Sequence, residues 1–139
     1  MFRHILLPVD LTDKNLTAVD IARGFLGETG GEVTLLHVIE TITDAPFEDL
    51  EDFYHRLEEK ARVGMNRLAE PLTTAGIEVE QSVVYGRRSS EIVAFALEKS
   101  VDLILLSSHP LDPESPETAW GSISHQVAVL ARCPVLLLK

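Results

Sequence analysis

The sequence predicts an α/β fold: a doubly wound parallel sheet of five strands in the order 3-2-1-4-5, with helices on both faces. Short apolar runs typical of strands buried on both sides alternate with helical patterns along the whole chain. Strands that follow each other through a helix pair in parallel with a right-handed crossover. The first and fourth strands end in polar residues, Asp10 and Ser107. In this fold, ligands bind at the carboxyl ends of strands where the winding reverses, here between strands one and four.

The first strand is predicted from His4 to Asp10 and ends in a carboxylate. Thr12, Asp13 or Asn15 can cap the helix that follows, because their side-chain oxygens accept from backbone N–H groups of a first turn. The inward positions of this helix are Leu16, Val19, Ala22 and Phe25. Gly30-Gly31 is predicted to stop the helix before the second strand.

The second strand is predicted from Glu32 to Ile39, and an acidic surface loop, Glu40 to Asp52, leads into a long helix. The apolar stripe of this helix is Leu50, Tyr54, Leu57, Ala61, Leu68 and Leu72. Pro71 has no backbone donor and clashes with the preceding turn. The helix is therefore expected to kink or to end early before Gly76.

The third strand, Ile77 to Tyr85, alternates only in part and is predicted to lie at or near a sheet edge. Gly86 turns the chain, and Ser89 or Ser90 can cap a third helix. The inward positions of this helix are Ile92, Val93, Ala96 and Leu97.

The fourth strand, Val101 to Leu106, ends at two serines, and a polar loop leads to a fourth helix with Ile123, Val127 and Leu130 inward. Gly121-Ser122 stands where this helix begins, with a hydroxyl available to the first turn. Because the first N–H groups of a helix have no intrahelical acceptor and carry partial positive charge, this junction predicts a phosphate site. Pro134 to Leu138 forms the fifth strand.

Composition limits the function classes. The 139 residues fit one domain, residues 1–139, and 12 basic against 22 acidic residues give a net charge of −10. Such a surface repels nucleic acid and anionic membrane, and Arg87-Arg88 is the only basic pair. No signal peptide and no apolar run of spanning length is present, so we expect a cytoplasmic protein. A single cysteine, Cys133, excludes an internal disulfide and a multi-cysteine metal site.

Catalytic signatures are absent from the sequence. Ser107, Ser108, His109 and Asp102 do not form a triad, because adjacent residues of a strand point to opposite faces, and no G-x-S-x-G elbow occurs. No P-loop lysine motif occurs either. The histidines lack metal-ligand spacing; they are His4, His37, His55, His109 and His125. We therefore expect no catalytic residues and no metal centre.

Taken together, the motifs resemble those of the universal stress protein family over essentially the whole chain. The matching stretches are Pro8-Val9-Asp10, Leu36-His37-Val38, Gly86, Asp102-Leu103-Ile104, Gly121-Ser122-Ile123-Ser124 and Cys133-Pro134-Val135. The resemblance implies an adenine nucleotide alpha hydrolase-like fold and a cytoplasmic, commonly homodimeric stress-response protein. One branch of the family binds ATP through G-x-x-G, nine residues, then G-S or G-T, whereas another branch binds no nucleotide.

Carried over residue by residue, the resemblance implies that Asp10 contacts the ribose and that the backbone of Val38 meets adenine. Gly121 and Ser122, with Ser124, would hold the phosphates. The predicted cofactor-binding residues are Pro8, Val9, Asp10, Val38, Ser107, Ser108, His109, Gly121, Ser122 and Ser124.

The front half of the phosphate loop departs from the family pattern. Ser107 and Pro110 replace the two leading glycines, and ten residues, not nine, lie between Pro110 and Gly121. Proline offers no N–H to a phosphate, although Ser108-His109-Pro110 resembles a variant found in some relatives. The loop also carries three carboxylates, so bound ATP would need a bridging cation such as Mg²⁺.

The resemblance leaves partner and ligand alternatives. We expect a homodimer through strand five, Pro134 to Leu138, because pairing covers an apolar sheet edge. One alternative is a nucleotide-free dimeric scaffold of the same family. A phosphoacceptor receiver domain shares the strand order, but here strand three ends in Tyr85-Gly86 without the aspartate, and Lys139 is the last residue.

Overall fold

The structure, a computed structural model, describes residues 1–42, 44–108 and 122–139. Its strands are β1 (His4–Pro8), β2 (Glu32–Ile39), β3 (Glu78–Tyr85), β4 (Leu103–Ser107) and β5 (Val135–Leu138). Its helices are α1 (Lys14–Leu26), α2 (Glu51–Thr74), α3 (Arg88–Glu98) and α4 (Ile123–Leu130), with a 3₁₀ turn at Phe47–Leu50. The strands pair in parallel in the order β3-β2-β1-β4-β5, which confirms the predicted topology.

Two apolar layers cover the two faces of the sheet, because alternate residues of each strand point to opposite sides. Ile5 and Leu7 of β1 pack with α1 and α2 in one layer. Leu6 packs with α3 and α4 in the other. The predicted placement of helices on both faces is therefore confirmed. No helix within the described ranges is long and apolar enough to cross a membrane.

Three predicted inward side chains lie outside the core. Phe25 is 42% exposed, and its ring packs edge-on against Phe2 at 5.6 Å while Leu26 is buried instead. Leu97 and Leu130 are also exposed. A step of one residue turns a helix by about 100°, so small errors in the assumed helix face move a residue from core to solvent.

The predicted helix starts and stops also need correction. Asp13 precedes α1 without a side-chain cap, and its carboxylate instead accepts from Arg67 at 2.6 Å. Neither Ser89 nor Ser90 caps α3, which follows Arg87 without a side-chain cap. α2 continues past Pro71 to Thr74; Arg67, four residues before the proline, is exposed, so water can satisfy its carbonyl.

Asp102 joins strands at the amino edge of the sheet. Its carboxylate accepts from the backbone N–H groups of Arg3 at 2.8 Å and His4 at 3.1 Å. Ser107 lies at the other end of β4, roughly 16 Å away for five residues of strand. Asp102 therefore links the start of β4 to the start of β1. It is too far from Ser107 to act with it as a catalytic pair.

Candidate functional site

The carboxyl ends of β1 and β4 lie side by side at the reversal point, but their hydrogen-bonded ladder is short. In the described chain it covers Ile5↔Leu103 and Leu6↔Ile104, whereas β1 and β2 pair over five residues. The Val9 N–H donates to Leu36 of β2 at 2.9 Å, so alternation turns the amide position of Pro8 toward β4. Proline has no N–H. We attribute the end of the ladder to this missing donor, and we call the unpaired strand ends of β1 and β4 the opening.

A fixed turn follows β1 at this opening. The buried side chain of Asn15, 1% exposed, accepts through Oδ1 from the N–H of Asp10 at 3.1 Å and of Leu11 at 3.0 Å. Leu11 has a φ of 69°, a conformation that costs a residue with a side chain roughly 1–2 kcal/mol. The Asn15 side chain therefore accepts from residues that precede it and holds a strained turn. This role differs from the helix cap predicted for it.

Asp10 is exposed, and only one of its carboxylate oxygens is used within the turn. Oδ1 accepts from the Thr12 N–H at 3.0 Å and the Thr12 hydroxyl at 2.6 Å. Burial raises the pKa of Asp10, but the bonds from Thr12, its own N–H and the charge of Lys14 outweigh it, so the pKa lies below its usual value. Oδ2 makes no hydrogen bond to the described residues and can accept from a ligand hydroxyl.

His37 ties β2 to the end of β1. Its Nδ1 lies 2.8 Å from the carbonyl oxygen of Val9. Because a carbonyl oxygen only accepts, Nδ1 carries the proton, and the ring holds the residue beside Asp10 in place. The role of His37 was not predicted from the sequence; the available signal was a polar ring within the otherwise apolar run 35–39.

Val38 offers backbone groups to the opening. The N–H and C=O of Val38 point to the same side of β2 as those of Leu36, which bonds β1. β1 has turned away at this level, since the Leu11 N–H, the next donor on the β2 side, bonds Asn15. The Val38 side chain is buried in the layer beneath α3 and α4. Its backbone N–H and C=O, and not its side chain, therefore face the end of β1.

The two serines after β4 differ in their surroundings. Ser108 turns to β5: its N–H donates to the Leu138 carbonyl at 2.7 Å and its hydroxyl to the same oxygen at 3.3 Å. The Ser107 oxygen is buried and has no hydrogen-bond partner among the described residues. Leaving a buried hydroxyl without a partner costs roughly 1–3 kcal/mol of stability. Ser107, and not Ser108, is therefore the serine whose hydroxyl is not already bonded.

Ser122 begins α4, as the sequence predicts. Its hydroxyl oxygen accepts from the His125 N–H at 3.1 Å. Ser124 lies half-buried in the first turn, which contains no acidic residue to compete with an anion. The helix start keeps the character of an anion site. His109 and Gly121, the remaining predicted site residues, lie outside the described residues.

Within residues 1–42, 44–108 and 122–139, no group of three or more His, Cys, Asp or Glu side chains is arranged to hold an ion. The site is built from one carboxylate, backbone groups, hydroxyls and a helix start.

Comparison with known proteins identifies the family. The universal stress protein family model matches residues 1–139. The chain belongs to the universal stress protein family. This membership removes the receiver-domain interpretation and confirms the resemblance seen in the sequence.

Three universal stress proteins illustrate the likeness. MJ0577 of Methanocaldococcus jannaschii is 26% identical over 100% of this chain and 96% of its own. Its structure superposes with a TM-score of 0.84 at 28% identity, over 100% and 96% of the two chains. A universal stress protein in complex with cAMP has a TM-score of 0.74 at 19% identity, over 99% and 97%. An Arabidopsis thaliana family member with AMP bound has a TM-score of 0.73 at 19% identity, over 99% and 91%. At 19% identity, the last two likenesses establish the fold alone.

Removing the Asn15 amide should destabilise the protein far more than removing the residue at the formal helix start. Asn15→Ala leaves two backbone N–H groups without acceptors and should lower the free energy of unfolding by about 2–3 kcal/mol. Asp13→Ala removes only an exposed ion pair and should cost under about 1 kcal/mol. Urea denaturation of both variants measures the difference. Equal losses would show that Asn15 does not hold the turn.

The stabilising effect of the Asp10 carboxylate should disappear in acid. Its pKa is lowered on folding, so the ionised form stabilises the native state above the unfolded value near pH 4, and the effect is lost as pH falls through the folded value. Wild type should therefore exceed Asp10→Asn in stability at pH 7, and the gap should close as the pH falls below about 4 and through the folded value. Urea denaturation across this range tests the sign. A gap that stays constant to pH 2 would mean that shape, and not charge, distinguishes the two side chains.

Proposed function

We propose that this universal stress protein binds an adenine nucleotide in the opening at the carboxyl ends of β1, β2 and β4, as a regulatory module without catalytic activity. The observation that carries the proposal is the Asp10 turn: an exposed carboxylate oxygen held beside an open strand end at the reversal point. The cAMP and AMP complexes of relatives with the same fold support this choice of ligand class.

Each part of the nucleotide has a suitable group. Asp10 Oδ2 accepts from a ribose hydroxyl, and the Val38 backbone meets the adenine edge. The N–H groups of the first turn of α4, capped by Ser122, and the Gly121 position receive phosphate oxygens, with the hydroxyls of Ser107 and Ser124 as further donors. Pro8 and Val9 shape the opening. The family resemblance adds Ser108 and His109 to the residues proposed to contact the nucleotide.

The altered loop favours recognition of the nucleoside over the phosphate chain. Ser107 and Pro110 stand in place of the leading glycines, and Pro110 has no N–H to donate. Each lost hydrogen bond to a charged group is worth roughly 1.5–3 kcal/mol. We therefore propose that AMP and ATP bind with similar affinities, that ATP needs Mg²⁺ to offset the loop carboxylates, and that ATP is not turned over.

A second candidate is a nucleotide-free dimeric scaffold of the same family. The same substitutions at Ser107 and Pro110 favour it. In both versions the protein acts in the cytoplasm as a homodimer through the strand at Pro134 to Leu138. The exposed side chain of Leu136 on β5, and of Val129 and Leu130 on the adjoining α4, support that interface.

Calorimetric titration with AMP, ATP, cAMP and 2′,3′-dideoxy-ATP, with and without Mg²⁺, tests the nucleotide proposal. Asp10→Asn should weaken AMP binding by about tenfold or more, since a bond from a hydroxyl to a charged acceptor is lost, and should change dideoxy-ATP binding little. Asp20→Asn, an exposed aspartate of α1, is the matched control and should bind as wild type. Absence of binding at millimolar concentrations of all four ligands would favour the scaffold.

Charge placed on the edge strand should separate the dimer. Leu136→Lys puts a lysine on exposed β5, a change that blocks strand pairing. Sedimentation at micromolar concentration should give a dimer for wild type and a monomer for this variant. Leu97→Lys, at an exposed apolar position of α3, should remain dimeric. A wild type that sediments as a monomer would remove the β5 interface.

A further inference from the structure

A second surface, rich in aromatic and acidic residues, lies beside the carboxyl ends of β2 and β3. Its centre is Tyr54 of α2, which is only 2% exposed. The ring of Phe47 stacks in parallel on Tyr54 with centroids 5.1 Å apart, and Phe53 lies 5.6 Å away on the same ring. Tyr85, at the end of β3, meets Tyr54 edge-on at 5.6 Å.

Hydrogen bonds fix this cluster. The Tyr54 hydroxyl accepts from the N–H of Ile42 at 2.9 Å, which brings the segment after β2 against the rings. The Tyr85 hydroxyl donates to the Glu58 carboxylate. Burial and that carboxylate raise the pKa of Tyr85 to about 12, so the phenol remains a donor at neutral pH. The rings are therefore held before any partner arrives.

Three apolar side chains of this cluster face solvent. Ile42 is 49% exposed, Phe47 50% and Phe53 39%. Single exposed apolar residues are ordinary on protein surfaces, but Phe47 and Phe53 both contact the buried ring of Tyr54, and the backbone of Ile42 bonds its hydroxyl. We name the patch formed by Ile42, Phe47 and Phe53 the Tyr54 platform.

The platform is set in the most acidic part of the chain. Residues 40–52 contain six carboxylates and no lysine or arginine; they are Glu40, Asp44, Glu48, Asp49, Glu51 and Asp52. His55, the next basic side chain, pairs with Glu59 at 3.1 Å. The charged side chains of residues 40–52 are therefore all negative, and the first arginine after them, Arg56, follows in α2. This acidic segment disfavours nucleic acid and anionic lipid and favours a cationic partner.

We propose that the Tyr54 platform docks a basic amphipathic segment of a partner protein, with apolar side chains seated on Phe47, Phe53 and Ile42 and Lys or Arg side chains paired with the surrounding carboxylates. Aromatic rings that are already ordered lose little conformational entropy on binding, which suits them as anchors. The proposal is independent of the nucleotide site.

A labelled 14-residue peptide of Leu and Lys at amphipathic helical spacing is the probe, and fluorescence anisotropy measures its binding. Phe47→Ser and Phe53→Ser should each weaken binding about tenfold. Val63→Ser, which removes an exposed apolar side chain elsewhere on α2, should bind as wild type. The same peptide with Glu in place of Lys should not bind.

A pair of variants matched in net charge separates local from overall attraction. The platform variant carries Glu48→Gln, Asp49→Asn, Glu51→Gln and Asp52→Asn. The control carries Glu70→Gln, Glu78→Gln, Glu80→Gln and Glu98→Gln, all exposed in the wild type. The platform variant should lose most of the salt dependence of binding, and the control should keep it. No binding of the Lys peptide at about 100 μM, equal loss in both charge variants, or unchanged binding by Phe53→Ser would overturn the proposal.

Discussion

The candidate site depends on one missing hydrogen-bond donor. Pro8 stands where β1 should next donate to β4, and the ladder between these strands stops after Leu6↔Ile104. On the other side of β1 the bonding continues, because the Val9 N–H reaches Leu36. At the reversal point β1 is therefore paired on one side and released on the other. The proline ends the pairing at a place where a residue with an N–H group would continue it.

The turn that follows β1 at the opening is held rigidly. Leu11 adopts a left-handed conformation that few residues with side chains tolerate, and two bonds to Asn15 hold the turn. The Leu11 side chain packs against α2 at Gly64, where an added Cβ would lie 2.9 Å from a Leu11 methyl carbon. The turn is therefore clamped from α1 by hydrogen bonds and from α2 by packing. Local strain of this kind persists only where surrounding contacts enforce it.

The sequence allowed the strand order, both helical layers and the helix start at Ser122 to be predicted, because each rests on a local pattern of apolar spacing or capping chemistry. It did not reveal that the Asn15 side chain bonds the turn that precedes it, nor that the His37 ring bonds the Val9 carbonyl. Both depend on distances between backbone atoms that form only after folding. Phe25 was misplaced because Phe2, an aromatic partner 23 positions away, competes with the core. The Tyr54 platform was missed for the same reason: the ring at its centre packs against Tyr85 of β3, which lies far from it in the sequence.

Charge explains why the candidate nucleotide site has its particular donors. A chain with net charge −10 offers a phosphate no general attraction, and the sequence contains no basic cluster near Ser107 or Ser122. What remains is a set of neutral donors, the free N–H groups of a helix start and serine hydroxyls, whose effect is confined to short range. The carboxylate of Asp10 suits the uncharged ribose instead of the phosphate. Selectivity in such a site comes from the nucleoside, and the acidic surface elsewhere is left free for cationic partners at the Tyr54 platform. The two proposals together would let one small acidic domain serve ligands of opposite charge, the anion through dipoles and the cation through carboxylates.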